Sequence, residues 1–283
     1  TGYRRNLDGL PVAFTQGSIL DRDCVNTVMN GVDLVFHLAA LVSVPESMAN
    51  PAECERINVL GLLNVLEAAA ENSVKKISFS SSAAVYGDNP TVRKRETMTP
   101  EPASPYAITK LAGEYYCSLF HREGRLHTAS LRYFNVYGPR QDPASQYAAA
   151  IPIFVSRALK NEPIVIFGDG AQTRDFVFVK DVVAANVHLA ANRECCDVYN
   201  VARGGEIAIR TLAEKIVALT HSASEIRHAE ERPGDVRHST AAVKRLADAG
   251  FRPGTPFEVG LEKTIASSRK REQRPQKPPA DKA

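Results

Sequence analysis

Tryptophan is absent from this 283-residue sequence, aromatic residues make up only 7%, and no run of eighteen apolar residues occurs. A helix that crosses a bilayer needs roughly 20 mainly apolar residues, so no membrane span is expected. The opening residues do not read as a signal peptide, and a cytoplasmic location is expected. Cysteine is sparse: Cys24, Cys54, Cys117, Cys195 and Cys196 form no CxxC pair. An odd number in a chain of this length does not make a disulfide framework, so reduced structural thiols are expected. His221, His228 and His238 lack the four-residue spacing that sets two imidazoles on one helical face, which leaves no metal site expected. Excess charge is also small, +3 overall, with six Lys or Arg against two acids in residues 269–282 and the remainder near −1. That basic tail, 267–283, reads as a disordered terminus, with neither nucleic acid nor membrane as partner.

What is present is the composition of a soluble globular chain, 44% hydrophobic and 24% charged, enough for one sizeable core or two coupled ones. Residues 32–36 form an apolar run ending at His37, and residues 76–80 form another. Between them Val59, Leu62, Leu63 and Leu66 recur at helical spacing within a helix expected over about 52–72, while Glu53, Glu55, Glu67 and Glu71 supply the wet faces. This predicts a βαβ unit with a right-handed crossover. A second helix is expected over about 105–123 and a strand over 128–133, before the Gly138-Pro139 break. Alternating strands and helices argue for an α/β fold with a doubly wound parallel sheet, whose ligands lie beyond the carboxyl ends of the strands. The segments after His37, Ser80 and Tyr133 should therefore line one crevice. Beyond Pro139, helices near 180–191 and 210–219 and a Pro- and Gly-bearing stretch over 232–256 read as a smaller second domain.

Tyr106 and Lys110 stand four apart on the second expected helix, one turn from each other on one face. An ammonium beside a phenol favours the phenolate, which suits the tyrosine to take a proton from an alcohol. Nine tyrosines make such a pair a weak signal alone. Ser80, Ser81 and Ser82 at the end of the preceding strand place hydroxyls in the same crevice, although a serine run also reads as a turn that satisfies its own backbone.

With these residues in view, SSSAAVYG at 80–87, YAITK at 106–110 and LRYFNVYGPR at 131–140 resemble the extended short-chain dehydrogenase/reductases that modify nucleotide sugars. Among them the chain is most similar to the NAD-dependent UDP-galactose and UDP-N-acetylglucosamine 4-epimerases, over about residues 1–260. The resemblance implies a Rossmann-like NAD-binding domain over 1–138, to which 176–191 returns, and a UDP-sugar-binding domain over 139–266. It implies that Ser82 bonds the sugar 4-hydroxyl, that Tyr106 is the catalytic base, and that Lys110 holds the nicotinamide ribose and tunes Tyr106. Asn58 matches a proton-relay position, or is a polar kink beside Gly61. For the cofactor it points to Ser18, Ile19, Leu38, Ala39, Ala40, Ser80 and Phe134, with Ser18 standing where an aspartate is usual. For the UDP-sugar it points to Asn135, Val165, Phe167, Arg174, Arg232 and Asp235, and to Ser239 as a small residue that leaves room for a 2-N-acetyl group.

The family's opening strand, its Gly-x-x-Gly-x-x-Gly turn and its acidic ribose ligand have no counterpart here, so an N-terminally truncated record with weak NAD binding is expected. Dehydratases of the family carry Thr-Asp-Glu where this sequence has Ser82-Ala83-Ala84, and alanines cannot serve as acid and base. A UDP-glucuronate decarboxylase and a non-catalytic NAD-binding scaffold remain alternatives. The resemblance also implies a homodimer built on the helices at about 52–72 and 105–123.

Overall fold

The computed structural model describes residues 3–143, 149–231 and 237–272. In chain order its helices are α1 (Arg22–Met29), α2 (Val44–Ala49), α3 (Pro51–Glu55), α4 (Gly61–Glu71), α5 (Pro105–Arg122), α6 (Ala150–Leu159), α7 (Val179–Ala191), α8 (Ile209–Thr220), α9 (Lys244–Asp248) and α10 (Phe257–Glu272). The strands are β1 (Leu34–His37), β2 (Lys76–Ser82), β3 (Arg93–Lys94), β4 (His127–Tyr133), β5 (Asn135–Tyr137) and β6 (Ile164–Phe167), followed by β7 (Thr173–Arg174), β8 (Phe176–Phe178), β9 (Val198–Val201), β10 (Ile207–Ala208), β11 (Ile226–Ala229) and β12 (His238–Ala241).

The central sheet runs β1-β2-β4-β9 and every pairing in it is parallel. Alternation along β2 explains its two covered faces. Ile77 and Phe79 pack with Leu62 and Leu66 of α4 and Phe120 of α5, while Ser78 on the other face donates to Asn186 Oδ1 of α7 at 2.9 Å. β4 behaves alike, its Leu131 packing with Val182 and Leu189 of α7. Such double coverage is what a parallel sheet requires. Two glycines let the layers approach: a β-carbon at Gly113 of α5 would lie 2.4 Å from Phe79 Cζ, and one at Gly61 would lie 2.5 Å from Ile19 Cδ1.

The crossover from β1 to β2 departs from the single expected helix. Asn50 and Pro51 divide it, with Ser43 capping α2 and Pro51 opening α3, and residues Arg56–Leu60 form a π-helical turn before α4. Proline has no N–H to continue a preceding helix, which explains the break. The expected inward stripe is nevertheless met, with Val59, Leu62 and Leu66 buried. β2 continues two residues beyond the apolar run, because Ser81 and Ser82 pair with Arg132 and Tyr133 of β4.

A second core lies beyond β4. Phe154 of α6, Phe176 and Phe178 of β8, Leu212 of α8, and Phe257 and Leu261 of α10 gather about Tyr137, whose hydroxyl donates to the Phe257 carbonyl at 3.0 Å. The chain passes back to the first sheet more than once: α7 packs on β2 and β4, and α9 packs on β9. The returning segment thus reaches well past the expected residues 176–191. No helix among the described residues is long and apolar enough to cross a membrane.

Candidate active site

Helix α5 begins beneath the carboxyl ends of β2 and β4, and its start is fixed locally. Ser104 Oγ accepts the Ala107 N–H at 3.2 Å with Pro105 in the first turn, an N-cap that satisfies one of the helix's unpaired donors. The Tyr106 N–H goes to Ser47 Oγ at 3.2 Å, and Ser47 in turn donates to the Val44 carbonyl at 2.7 Å. The amino end of α2 therefore helps to set the backbone of Tyr106.

One turn on, the buried Lys110 donates from Nζ to the Ser80 carbonyl at 2.8 Å. The same nitrogen lies 5.1 Å from the centre of the Phe79 ring and 5.8 Å from that of Tyr106. Burial pulls Lys110 down to about 8. Burial pushes the Tyr106 phenol up from its ordinary value, and the hydrogen bond from Ser82 acts against that shift. This corrects the expectation from spacing alone: desolvation dominates at the phenol, and the Lys110 ammonium is turned onto the Ser80 carbonyl. His37, at the end of β1, stacks on Phe79 with ring centres 6.0 Å apart. Burial, and then the charge of Lys110, lower it to about 4, so it is neutral at pH 7.

Ser82 is held at the point where β2 turns into a short 3-10 segment, Ala83–Tyr86, and its Oγ accepts the Ala84 N–H at 3.1 Å. Ser81 points to the opposite side and donates to Glu114 Oε1. Glu114 is clamped by Arg132, Nε to Oε1 at 2.8 Å and Nη2 to Oε2 at 2.7 Å, with both side chains almost wholly buried. Ser80 Oγ meets Tyr133 Oη at 3.2 Å, and Tyr133 donates to Asn186 Oδ1 at 2.9 Å. The three serines thus face three different partners, and each is fixed to a separate element.

Asn58 sits in the π-helical turn, a feature often found at functional sites. Its Oδ1 accepts the Leu41 N–H at 2.7 Å, and its Nδ2 donates to the Leu41 carbonyl and to Thr109 Oγ1, each at 3.0 Å. Thr109 Oγ1 donates onward to the Tyr106 carbonyl at 2.8 Å. Asn58 therefore clamps the loop after β1 to the helix that carries Tyr106.

The cofactor positions fall along the same rim. Leu38 and Ala39 are exposed and Ala40 is half-buried just beyond β1, where small side chains admit a ligand's backbone-facing approach. Ser18 is exposed and accepts the Leu20 N–H at 3.2 Å. Ile19 packs on Gly61, and its carbonyl accepts from Asn64 Nδ2 at 3.0 Å. Phe134 is buried against Tyr86 with ring centres 6.2 Å apart. The buried Lys110 spends one N–H on Ser80, and an ammonium has three, so donors for ribose hydroxyls stand at this end of the crevice. The nicotinamide-ribose end of a dinucleotide fits the residues present.

The substrate positions follow beyond β4. Past Tyr133 and Phe134, Asn135 donates from Nδ2 to the Asp175 carbonyl at 3.2 Å. Arg174, one residue before, stands opposite Ser239 in the pairing of β7 with β12. Val165 and Phe167 share the face of β6 that turns away from the buried Ile164 and Ile166, and Gln172 Nε2 ties the Phe167 carbonyl to the β7 approach at 2.8 Å. Arg232 and Asp235 lie outside the described residues. Sequence reasoning missed Ser47, Thr109, His37 as a ring against Phe79, and Asp175, whose carboxylate accepts the N–H groups of Arg203 and Gly204 at 2.9 Å each. Of these, only Thr109, inside the YAITK motif beside Lys110, left any trace in the sequence.

Residues 2–202 match the model of the NAD dependent epimerase/dehydratase family. The chain is 36% identical over 268 residues to a putative UDP-glucose 4-epimerase of Methanocaldococcus jannaschii, covering 94% of this chain and 86% of that protein. It resembles the UDP-N-acetylglucosamine 4-epimerase of Methanobrevibacter ruminantium, solved with UDP-N-acetylmuramic acid, at a TM-score of 0.92 and 39% identity over 96% of this chain and 88% of that one. It also resembles the NAD complex of the Thermus thermophilus UDP-glucose 4-epimerase, at 0.87 and 35% over 95% and 88%. With a family match that takes in both the serine end of β2 and the Tyr106–Lys110 turn, the chain belongs to the NAD dependent epimerase/dehydratase family.

Proposed function

We infer that the protein is an NAD-dependent 4-epimerase of a UDP-hexose, acting in the cytoplasm as a homodimer. One arrangement carries the chemistry: Tyr106 and the buried Lys110 stand one turn apart on α5, with Lys110 Nζ 5.8 Å from the centre of the Tyr106 ring and bonded to the Ser80 carbonyl, while the turn after Ser82 offers only Ala83 and Ala84. A dehydratase needs acid and base groups at that turn, and alanine supplies neither. UDP-sugar epimerases among the relatives support the substrate class.

Bound NAD supplies the redox chemistry, a reversible exchange of hydride with C4. Tyr106, as phenolate, takes the proton of the 4-hydroxyl, and Ser82 Oγ holds the 4-oxygen at hydrogen-bond reach. Lys110 is cationic at pH 7, and its charge, 5.8 Å from the centre of the Tyr106 ring, reduces without cancelling the cost of a buried phenolate. After the 4-keto sugar presents its other face, Tyr106 returns the proton and the product leaves inverted at C4. Arg174 grips the diphosphate through this turnover, since a guanidinium fork matches phosphate oxygens. Arg232 and Asp235 join it on the nucleotide, Val165 and Phe167 form the uracil slot, and the small Ser239 leaves space for a 2-N-acetyl group.

Proton NMR on the chain with NAD and either UDP-N-acetylglucosamine or UDP-glucose should show the C4 epimer. Tyr106→Phe should lower the rate by about 10²–10⁴-fold. Ser239→Tyr should suppress N-acetylhexosamine turnover while sparing UDP-glucose. A 4-keto-6-deoxy product, or no epimer from either sugar at saturating NAD, would overturn the reading.

A further inference from the structure

At the amino ends of the central strands, on the opposite edge of the sheet from the Tyr106 crevice, two imidazoles and a thiol converge. His121 belongs to the last turn of α5, His127 opens β4, and Cys196 lies in the loop that leads into β9. Each offers one ligand atom, and the three atoms all lie within 4.8 Å of one another. His127 is separated from Tyr133, at the crevice end of the same strand, by about 20 Å at the usual rise per residue. The cluster is therefore not an extension of the epimerase site.

The geometry is that of a tetrahedral edge. Cys196 Sγ stands 3.6 Å from His127 Nδ1. A zinc ion with Zn–S of about 2.3 Å and Zn–N of about 2.0 Å places sulfur and nitrogen about 3.5 Å apart at the tetrahedral angle. The two imidazole rings have centres 5.4 Å apart and are inclined by 43°, so they meet at an angle and are not stacked face to face. The sulfur is half-buried and now gives its proton to the Arg193 carbonyl at 3.0 Å. On coordination that proton passes to solvent and the thiolate becomes the ligand.

The donor set selects the ion. Two imidazoles and one thiolate, with no carboxylate among them, suit a borderline-soft cation and not calcium or magnesium. Lys75, Arg125 and Arg193 line the neighbouring cavity and oppose a cation there. Lys75 pairs with Asp33 at 2.8 Å and Arg125 with Glu123 at 4.0 Å, which offsets two of the three charges. We propose that His121, His127 and Cys196 form a zinc site with water in the fourth position. Its role is to tie the end of α5, the start of β4 and the approach to β9, three elements of one sheet layer.

Cobalt is the probe, because a thiolate ligand gives it a charge-transfer band and a tetrahedral field gives it intense visible bands. After chelator treatment and desalting, the full chain should take up one equivalent of Co²⁺ with both signatures, and Zn²⁺ should displace it. Cys196→Ala should lose the charge-transfer band, His127→Ala should lose the tetrahedral bands, and Cys24→Ala should keep both. Thermal unfolding should shift upward with added Zn²⁺ in the parent chain and stay fixed in Cys196→Ala, while epimerase turnover is the same in both. These ligands are partly exposed, and the metal-free variants should unfold at the parent's metal-free temperature. A charge-transfer band that persists in Cys196→Ala, no band at all, or a stabilisation given by inorganic phosphate in place of zinc would each overturn the site.

Discussion

A neutral imidazole is the condition on which the floor of the crevice is built. His37 lies buried on Phe79, and burial together with Lys110 lowers it to about 4, against an ordinary value near 6.5. Because the folded value is depressed, the stability this group contributes is fully present above about pH 6.5 and is lost as the pH falls toward 4. At pH 4.5 the loss amounts to about 2–3 kcal/mol for a shift of this size. Replacing the ring by one that cannot titrate, His37→Phe, should therefore flatten the acid limb. Urea denaturation at pH 7.5 and 4.5 measures it, with the parent losing more stability between the two than the variant. Equal losses would show that His37 takes up its proton in the folded crevice as readily as in the unfolded chain, and would refute the account.

Among the elements, β2, β4 and α5 act as one unit because a buried ion pair joins them. Arg132 of β4 clamps Glu114 of α5 in two hydrogen bonds, and Glu114 accepts from Ser81 of β2. Arg132 also stacks its guanidinium 4.7 Å from the centre of the Tyr86 ring, while its Nη1 has no partner among the described residues. Removing one charge strands the other in a low-dielectric interior, so Arg132→Met should cost about 3–5 kcal/mol. Adding Glu114→Gln should recover most of that loss, because a neutral amide still accepts from Ser81 without needing a counter-ion. A double variant no more stable than Arg132→Met in urea would refute the account.

These same elements show where sequence reading succeeds. The placement of Tyr106 and Lys110 one turn apart on a helix and of Ser82 at a strand end was legible because each lies within one element whose period is plain, and because the order of a parallel sheet dictates that strand ends share a crevice. The clamps that position them were not. Asn58 reaches Thr109 across 51 residues and Ser47 reaches Tyr106 across 59, and no local pattern marks a hydrogen bond that only the fold creates. The π-helical turn at Arg56–Leu60 was hidden for another reason, since its apolar spacing still matches a helix. Arg174 and Ser239 meet through strand register, which the short strands of the second core do not announce.

For the whole molecule, the proposed homodimer would rest on the outer face of α5. Ile108, Tyr115 and Leu119 are 51%, 61% and 39% exposed, and their spacing of seven and then four places them on one side of the helix. Leu60, 51% exposed, adds to it from the π-helical turn that packs beside α5. An exposed apolar stripe of this kind is a candidate interaction surface, and the self-complementary contact of two such helix pairs is the simplest closed solution. A glutamate at its centre puts a charge against its own symmetry mate and desolvates both. Light scattering behind size exclusion should return roughly twice the 30.9 kDa chain mass for the parent, and the single-chain mass for Tyr115→Glu. Because Tyr115 projects into solvent in the single chain, the variant should keep its unfolding temperature at low protein concentration. A parent that stays at the single-chain mass at micromolar concentration removes the dimer, and a variant that stays at twice that mass moves the interface off this face of α5.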